Sequence, residues 1–212
     1  RSIDGGATWQ ALEGLLSSGA LFATVRLPEN DVLLAAAAHG LFESRDAGAL
    51  WQRTGRGLPF NNRIVGLLAD RLSPDRLLAI LDGGALWGSA GPPQVMRSLD
   101  GGASWSPAAR GLPGMTPTAW ASAGGASPAL YLAADGAIAR SADLGQSWEV
   151  RALPPGNRPA LAALTPGSPT SGSPTVIVGG TTPLRSTDGG VTWRALPLPR
   201  PEQGGEVGAL TA

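Results

Sequence analysis

The chain has 212 residues, of which 42% are hydrophobic, 31 are glycine and 19 are proline, a composition that predicts one sizeable core built from short elements punctuated by turns. Sixteen basic residues, all of them arginine, balance sixteen acidic ones, which excludes the basic surface of a nucleic-acid-binding protein. No apolar run approaches the ~20 residues that span a bilayer, and the absence of cysteine excludes disulfides and thiolate metal sites.

A nine-residue motif, RSIDGGATW, opens the chain and recurs four more times with small changes. Each copy keeps a serine, an aspartate two residues later, a glycine four later and a tryptophan seven later. We call these segments turn motifs 1 to 5, and their key residues are Ser2, Asp4, Gly6 and Trp9; Ser44, Asp46, Gly48 and Trp51; Ser98, Asp100, Gly102 and Trp105; Ser141, Asp143, Gly145 and Trp148; and Ser186, Asp188, Gly190 and Trp193. The serines are 42, 54, 43 and 45 residues apart. This period predicts the four-stranded blade of a β-propeller, which repeats every ~40 to 50 residues.

Apolar runs bounded by glycine, proline, asparagine and aspartate predict the strands of each blade. First strands are expected at 20–25, 64–69, 117–123 and 160–165. Second strands are expected at 31–38, 76–81, 129–134 and 175–180. A short third strand ends at each motif serine, and a fourth strand begins at each tryptophan.

This register predicts four complete blades and one split blade within a single domain spanning 1–212, with blade boundaries near residues 18, 61, 115, 158 and 205. Residues 206–212 match a first strand, while turn motif 1 follows the end of a third strand. We therefore expect a piece of a longer propeller or an incomplete ring, because an open propeller exposes sheet edges. The alternative is a five-bladed ring closed by pairing of the two termini.

The pattern S-x-D-x-G-x-x-W resembles the Asp-box, or bacterial neuraminidase repeat, of sialidases, sortilin-type receptors, some xyloglucan-cleaving enzymes and the photosystem II assembly-factor family. The resemblance covers nearly the whole chain. It implies that each motif is the hairpin turn between the third and fourth strands and lies on the face opposite the substrate site. It also implies an extracellular or periplasmic location.

The chemistry of the motif residues favours the same structural role. Serine and aspartate side chains bond to nearby backbone in tight turns, and glycine adopts a backbone conformation that other residues resist. The tryptophan ring folds back over the hairpin and needs a partner for its N–H. We therefore interpret all five motifs as scaffold rather than catalytic groups.

The binding face is then expected at the loops between second and third strands, because loops on a rigid scaffold usually carry function. One blade is longer than the others, and the excess lies at 82–95. Trp87 in this insert belongs to neither a motif nor a regular strand. It is a candidate platform for a sugar ring or a partner protein, although packing of the insert on its own blade is the competing interpretation.

Three further residues are candidates for binding: His39, Asp82 and Asp135. His39 is the only histidine and precedes Gly40 in a predicted turn, so it cannot make a metal site or a catalytic triad alone. Asp82 and Asp135 begin similar Asp-Gly sequences, which favours turn chemistry. No cofactor and no metal site are predicted.

An enzyme remains an alternative because the resemblance includes glycosidases. Sialidases use a tyrosine nucleophile, but Tyr131, the only tyrosine, falls within a predicted strand. An inverting carbohydrase needs only two carboxylates roughly 6.5 to 9.5 Å apart, which Asp82 and Asp135 could supply. The sequence favours a non-catalytic propeller that presents loops to a protein or glycan partner, with a glycoside hydrolase of sialidase-like or xyloglucanase-like type as the alternative.

Overall fold

The computed structural model of the chain describes residues 2, 4–9, 21–28, 31–59, 62–70, 73–85, 94–112, 114–115, 117–123, 129–134, 136–153, 161–164, 174–180 and 182–196. These residues form sixteen β-strands, and none of them lies in a helix. The strands build four sheets, each of four antiparallel strands in sequential order. Two compact units contain them: the first comprises residues 1–69 and 74–107, and the second comprises 70–73 and 108–212.

The first unit holds two sheets. Sheet 1 consists of β1 (Leu21–Leu27), β2 (Val32–Ala37), β3 (Gly40–Ser44) and β4 (Gln52–Thr54). Sheet 2 consists of β5 (Asn62–Ala69), β6 (Leu77–Ala85), β7 (Gln94–Ser98) and β8 (Ser106–Pro107). A buried apolar cluster joins the two sheets, with Leu34, Leu77 and Leu81 fully enclosed in it and Trp105 at its edge.

The second unit repeats this arrangement. Sheet 3 consists of β9 (Ala119–Ala123), β10 (Ala129–Ala134), β11 (Ala137–Ser141) and β12 (Glu149–Ala152). Sheet 4 consists of β13 (Leu161–Leu164), β14 (Thr175–Val178), β15 (Leu184–Ser186) and β16 (Arg194–Ala195). Its core surrounds Tyr131, whose buried hydroxyl donates a hydrogen bond of 3.2 Å to the carbonyl of Gly189.

The predicted fold class is confirmed, because every sheet is a four-stranded antiparallel meander with its strands close to the expected positions. Apolar runs mark the second strands β2 and β10 because these strands are buried at nearly every position. The expected first strand at 206–212 and the predicted boundaries near 18, 61, 158 and 205 lie outside the described residues. Residue 115 lies between β8 and β9.

The long blade differs from the expectation at one point. The sequence suggested that residue 82 begins a turn, but β6 continues to Ala85 and pairs there with Asn62 of β5. Register shifts in this ladder accommodate the extra length. Asp82 therefore lies within a strand, and part of the insert extends the sheet instead of forming a loop.

Candidate functional site

Each sheet has two distinct ends. The turn motif joins the third and fourth strands, and in an antiparallel meander this end also holds the loop between the first and second strands. The loop between the second and third strands lies at the other end, which we call the distal end; in sheet 1 it is marked by the turn at 38–39. The two ends carry different chemistry.

A common network of hydrogen bonds closes the turn motifs. In turn motif 3, the Ser98 hydroxyl donates to Asp100 Oδ1 at 2.8 Å and accepts the Gly102 N–H at 2.8 Å. Asp100 Oδ1 accepts the Ser104 N–H at 2.9 Å, and the Ser104 hydroxyl donates to Asp100 Oδ2. The serine–aspartate, glycine–serine and backbone–aspartate bonds recur in the other four motifs. Each motif carboxylate is thus occupied by donors from its own turn.

These hydrogen bonds lower the pKa of all five motif aspartates. For Asp4 and Asp188 the largest cause is the threonine hydroxyl four residues later, followed by the N–H of the same threonine. For Asp46 the largest cause is the Leu50 N–H, because leucine supplies no hydroxyl. Burial raises the pKa of Asp100 and Asp143, but the donors in their turns outweigh it. Carboxylates held ionised in this way are poor proton donors at neutral pH.

The residue directly after each motif aspartate has a left-handed backbone conformation. Glycine occupies it in motifs 1, 3 and 5, where φ lies between 68° and 72°. Ala47 and Leu144 occupy it in motifs 2 and 4 with φ of 57° and 55°. A side chain in this conformation costs roughly 1 to 2 kcal/mol, so two of the five turns carry backbone strain.

The motif tryptophans differ in burial. Trp105 and Trp148 are 6% exposed, whereas Trp9 is 75% exposed. The indole N–H donates to the glycine carbonyl of its own motif in motifs 1, 2 and 3, which supplies the expected partner. The buried Nε1 of Trp193 has no hydrogen-bond partner, contrary to that expectation. Trp148 instead donates to the carbonyl of Ala108 at 2.8 Å, forty residues earlier.

A segment that follows the fourth strand covers the buried tryptophans. The Arg56 N–H donates to the Ala103 carbonyl at 3.0 Å, and the Trp105 N–H donates to the Arg56 carbonyl at 2.8 Å. The Trp148 N–H donates in the same way to the Arg110 carbonyl at 3.0 Å. The chain after one blade therefore pairs with the turn motif of the next blade, in both units.

The predicted binding residues that the structure describes lie at the distal end. His39 lies in the exposed turn between β2 and β3. Asp82 accepts hydrogen bonds from Arg63, one of them from Nε at 2.7 Å, and the Arg63 guanidinium lies 5.2 Å from the centre of the Phe22 ring. Trp87 and Asp135 lie outside the described residues.

The structure also shows a distal cleft that the sequence analysis did not identify. It has a volume of about 220 Å³. Its lining residues are Gly40, Leu41, Arg53, Thr54, Gly55, Arg56, Gly57, Leu58, Pro59 and Ile64. The sequence signal for it is the arginine between two glycines at 55–57, which follows Arg53 closely. We call this feature the Arg53–Arg56 cleft.

Two other kinds of feature are missing from the part of the chain that the structure describes. No group of three or more histidine, aspartate or glutamate side chains is placed to hold a metal ion there. No helix there is long and apolar enough to cross a membrane.

Comparison with solved structures places the fold among the β-propellers. The chain is similar to the GH74 xyloglucanase from Xanthomonas campestris (22% identity, TM-score 0.58), covering 82% of this chain and 29% of that one. It is similar to YCF48 bound to D1 peptide (19% identity, TM-score 0.57), covering 91% and 59%. It is also similar to the extracellular domain of BT4673 from B. thetaiotaomicron (13% identity, TM-score 0.58), covering 88% and 23%. The chain therefore spans less than two thirds of each of these proteins.

No protein-family model matches the chain, and no curated protein matches it in sequence. The similarity is thus one of fold, shared by enzymes and by proteins of other kinds, and fold alone does not decide activity. The shared architecture is the β-propeller built from four-stranded antiparallel blades.

Proposed function

We propose that this chain is a non-catalytic Asp-box propeller that presents its distal loops to a partner, with a protein as the first candidate and a glycan as the second. The observation that carries the proposal is the hydrogen bonding of the five motif aspartates. Their oxygens are engaged by their own turns, which supports a scaffolding role for the repeated carboxylates. A rigid frame with variable loops is a common basis for recognition.

Features at the distal end support binding there. The Arg53–Arg56 cleft, His39, and the group formed by Phe22, Arg63 and Asp82 offer cationic, aromatic and apolar surface. The peptide in the YCF48 complex supports a protein partner by analogy. Trp87 and Asp135 remain candidate binding residues on the sequence argument alone.

An extracellular or periplasmic location is part of the proposal. The resemblance to the Asp-box families is its main support, and the similarity to an extracellular domain adds to it. Fractionation of the native cell, with immunoblotting of each fraction for the full protein, tests this location. Recovery of the protein in the cytoplasmic fraction alone would contradict it.

The alternative function, a glycoside hydrolase, draws support from the similarity to GH74 enzymes. The hydrolase hypothesis needs an acid and a base, and Asp82 is engaged with Arg63 in the described residues. The motif aspartates are held ionised by donors. The motif aspartates therefore do not suit proton transfer to a leaving group, which disfavours them as the acid of a hydrolase.

Site-specific photocrosslinking tests the binding proposal. A benzophenone amino acid replaces His39 at the distal end, and the matched variant carries it at Leu99, which is 57% exposed within turn motif 3. We expect a protein partner from the native cell to crosslink at position 39 and to be displaced by unlabelled protein. Position 99 should give no displaceable product.

The opposite pattern, with displaceable crosslinks confined to position 99, would move the binding surface to the turn motifs and overturn the proposal. A glycan array probed with the same protein tests the second candidate. Displaceable glycan binding without any protein crosslink would make a glycan the partner.

A further inference from the structure

We propose that the Arg53–Arg56 cleft binds a carboxylate group of a protein partner, either an acidic side chain or a chain terminus. This inference rests on the proposed function and assigns chemistry to one part of the distal surface. Three features carry it: the position of the Arg53 guanidinium beside Gly40, the rigidity of the loop that presents Arg56 in the lining, and the size and apolar floor of the cleft.

Arg53 reaches the cleft from β4, where it pairs in register with Phe42 of β3. Its guanidinium lies across Gly40, so that a Cβ atom at that glycine would approach Arg53 Nη2 to 3.2 Å. Gly40 has a φ of 135°, which disfavours other residues. The absence of a side chain at position 40 therefore leaves room for the guanidinium beside the cleft.

Arg56 is presented by a loop whose backbone is held at several points. Both of its own backbone groups bond to turn motif 3, at 3.0 Å and 2.8 Å. The Leu58 N–H donates to the Gly55 carbonyl at 3.1 Å, which closes the loop beneath Arg56. Gly55 and Gly57 have φ of 88° and 91°, so the loop depends on glycine on both sides of the arginine. A pre-organised backbone reduces the entropy lost when a ligand binds.

The lining suits one carboxylate and its short apolar stem. None of the described lining residues is acidic, and two are arginines, which bind carboxylates through paired, charge-assisted hydrogen bonds. Leu41, Leu58 and Ile64 supply an apolar floor for methylene groups. At about 220 Å³ the cleft is smaller than the ~300 to 1,000 Å³ of sites for whole small molecules. A side chain or terminus of a larger partner therefore fits it better than a cofactor.

The segment that follows Trp105 provides a natural comparison. Arg110 follows Trp105 at the same spacing as Arg56 follows Trp51, and its carbonyl makes the same bond to the next motif. Pro107 follows Trp105 at the spacing at which Arg53 follows Trp51. That loop has one arginine without the second, so it provides a matched control for the paired site.

A titration of the full chain with succinate tests the inference. Binding is measured by calorimetry and by the NMR signals of the arginine Nε–H groups. We expect a dissociation constant on the order of millimolar, since one carboxylate makes few contacts. Either Arg53→Gln or Arg56→Gln should weaken binding roughly tenfold, whereas Arg110→Gln should leave it unchanged. Neutral succinamide should not bind, and added salt should weaken succinate binding.

Two results would overturn the inference. One is unchanged succinate affinity in Arg56→Gln whose unfolding midpoint matches that of the parent chain. The other is tighter binding of inorganic phosphate than of succinate, which would replace the ligand class. Arg56→Lys separates the effect of charge from that of geometry, because lysine keeps the positive charge and lacks the planar guanidinium. A loss of succinate affinity in this variant indicates bidentate recognition.

The crosslinking and succinate experiments test the proposed function and the carboxylate site independently. Succinate binding without a displaceable protein crosslink at position 39 and without glycan binding would retain the carboxylate site and remove the scaffold function. A displaceable partner combined with no succinate binding would retain the function and remove this site.

Discussion

At the scale of single residues, the motif serines and aspartates act through the backbone. Ser44, Ser98, Ser141 and Ser186 are each 1% exposed, and their hydroxyl groups both donate and accept hydrogen bonds within the turn. A buried polar group without such partners would cost about 1 to 3 kcal/mol. The motif therefore recurs because each of the five turns requires the same hydrogen-bonding side chains.

The strained residue of turn motif 2 gives the first prediction. Ala47 is exposed, so replacing it by glycine loses little apolar burial. The change should remove about 1 to 2 kcal/mol of left-handed strain and add about 0.5 to 1 kcal/mol of chain entropy cost. We expect a net gain in the free energy of unfolding, measured by urea denaturation. The reverse change in turn motif 3, Gly101→Ala, should destabilise the chain, and a less stable Ala47→Gly variant would contradict the assigned strain.

The motif aspartates predict how stability responds to acid. Their pKa values are lowered in the folded chain, below the ordinary value of 3.8, so the folded state favours the ionised form. This contribution is fully present above the unfolded pKa and is lost as pH falls through the folded pKa. We expect the contribution of these carboxylates to the melting temperature to stay constant between pH 5 and pH 7. It should fall steadily below about pH 4.

Asp100→Asn isolates one carboxylate in that acid response. It should lower the melting temperature at pH 7, because the amide accepts the turn donors less strongly than a carboxylate. The difference between the variant and the parent chain should shrink as pH falls towards 2. A difference that stays constant over this range would show that ionisation of Asp100 does not stabilise the turn.

At the scale of elements, the segment after the fourth strand joins one blade to the next. Gly57 lies so close to the Trp105 carbonyl that a Cβ atom there would overlap it, and at Gly111 the same atom would lie 2.6 Å from the Trp148 carbonyl. Both glycines also have positive φ. The pairing of this segment with the next motif therefore depends on a residue without a side chain.

Gly111→Ala tests this dependence. The added methyl group must move the backbone of Trp148 and also adopt a left-handed conformation, so we expect a loss of about 2 kcal/mol or more. Gly136→Ala is the matched control, since Gly136 has a φ of 73° but nothing within 4 Å of the added atom. It should lose only the ~1 to 2 kcal/mol of backbone strain. Equal losses in the two variants, measured by urea denaturation, would mean that the close contact contributes nothing.

At the scale of the whole molecule, the proposed function predicts the absence of turnover. The full protein should release no reducing sugar from xyloglucan oligosaccharides and no product from aryl sialosides. Turnover that disappears in Asp82→Asn, with an unchanged melting temperature, would instead establish the glycosidase alternative. Asp75→Asn serves as a control, since Asp75 lies at the motif end, two residues before β6, where its carbonyl accepts the Gly101 N–H.

Local patterns in the sequence were enough to predict most of the fold. The recurrence of serine, aspartate, glycine and tryptophan at constant offsets identified the turns, because a hairpin turn is made by residues adjacent in the chain. Apolar runs between them located the strands to within a few residues. The sequence did not predict the left-handed conformation of Ala47 and Leu144, which only the backbone angles of the structure show.

By itself, then, the sequence determined the repeat, the blade and the interpretation of the motifs as turns, since these depend on short-range geometry. Only the tertiary structure decided which tryptophans are buried, that Asp82 lies in an extended strand beside Arg63, and that Arg53 and Arg56 line one cleft. These features depend on how a loop crosses to the next blade and on the register between strands. Contacts of that kind join residues far apart in the chain, such as Trp148 and Ala108, and leave no periodic trace in the sequence.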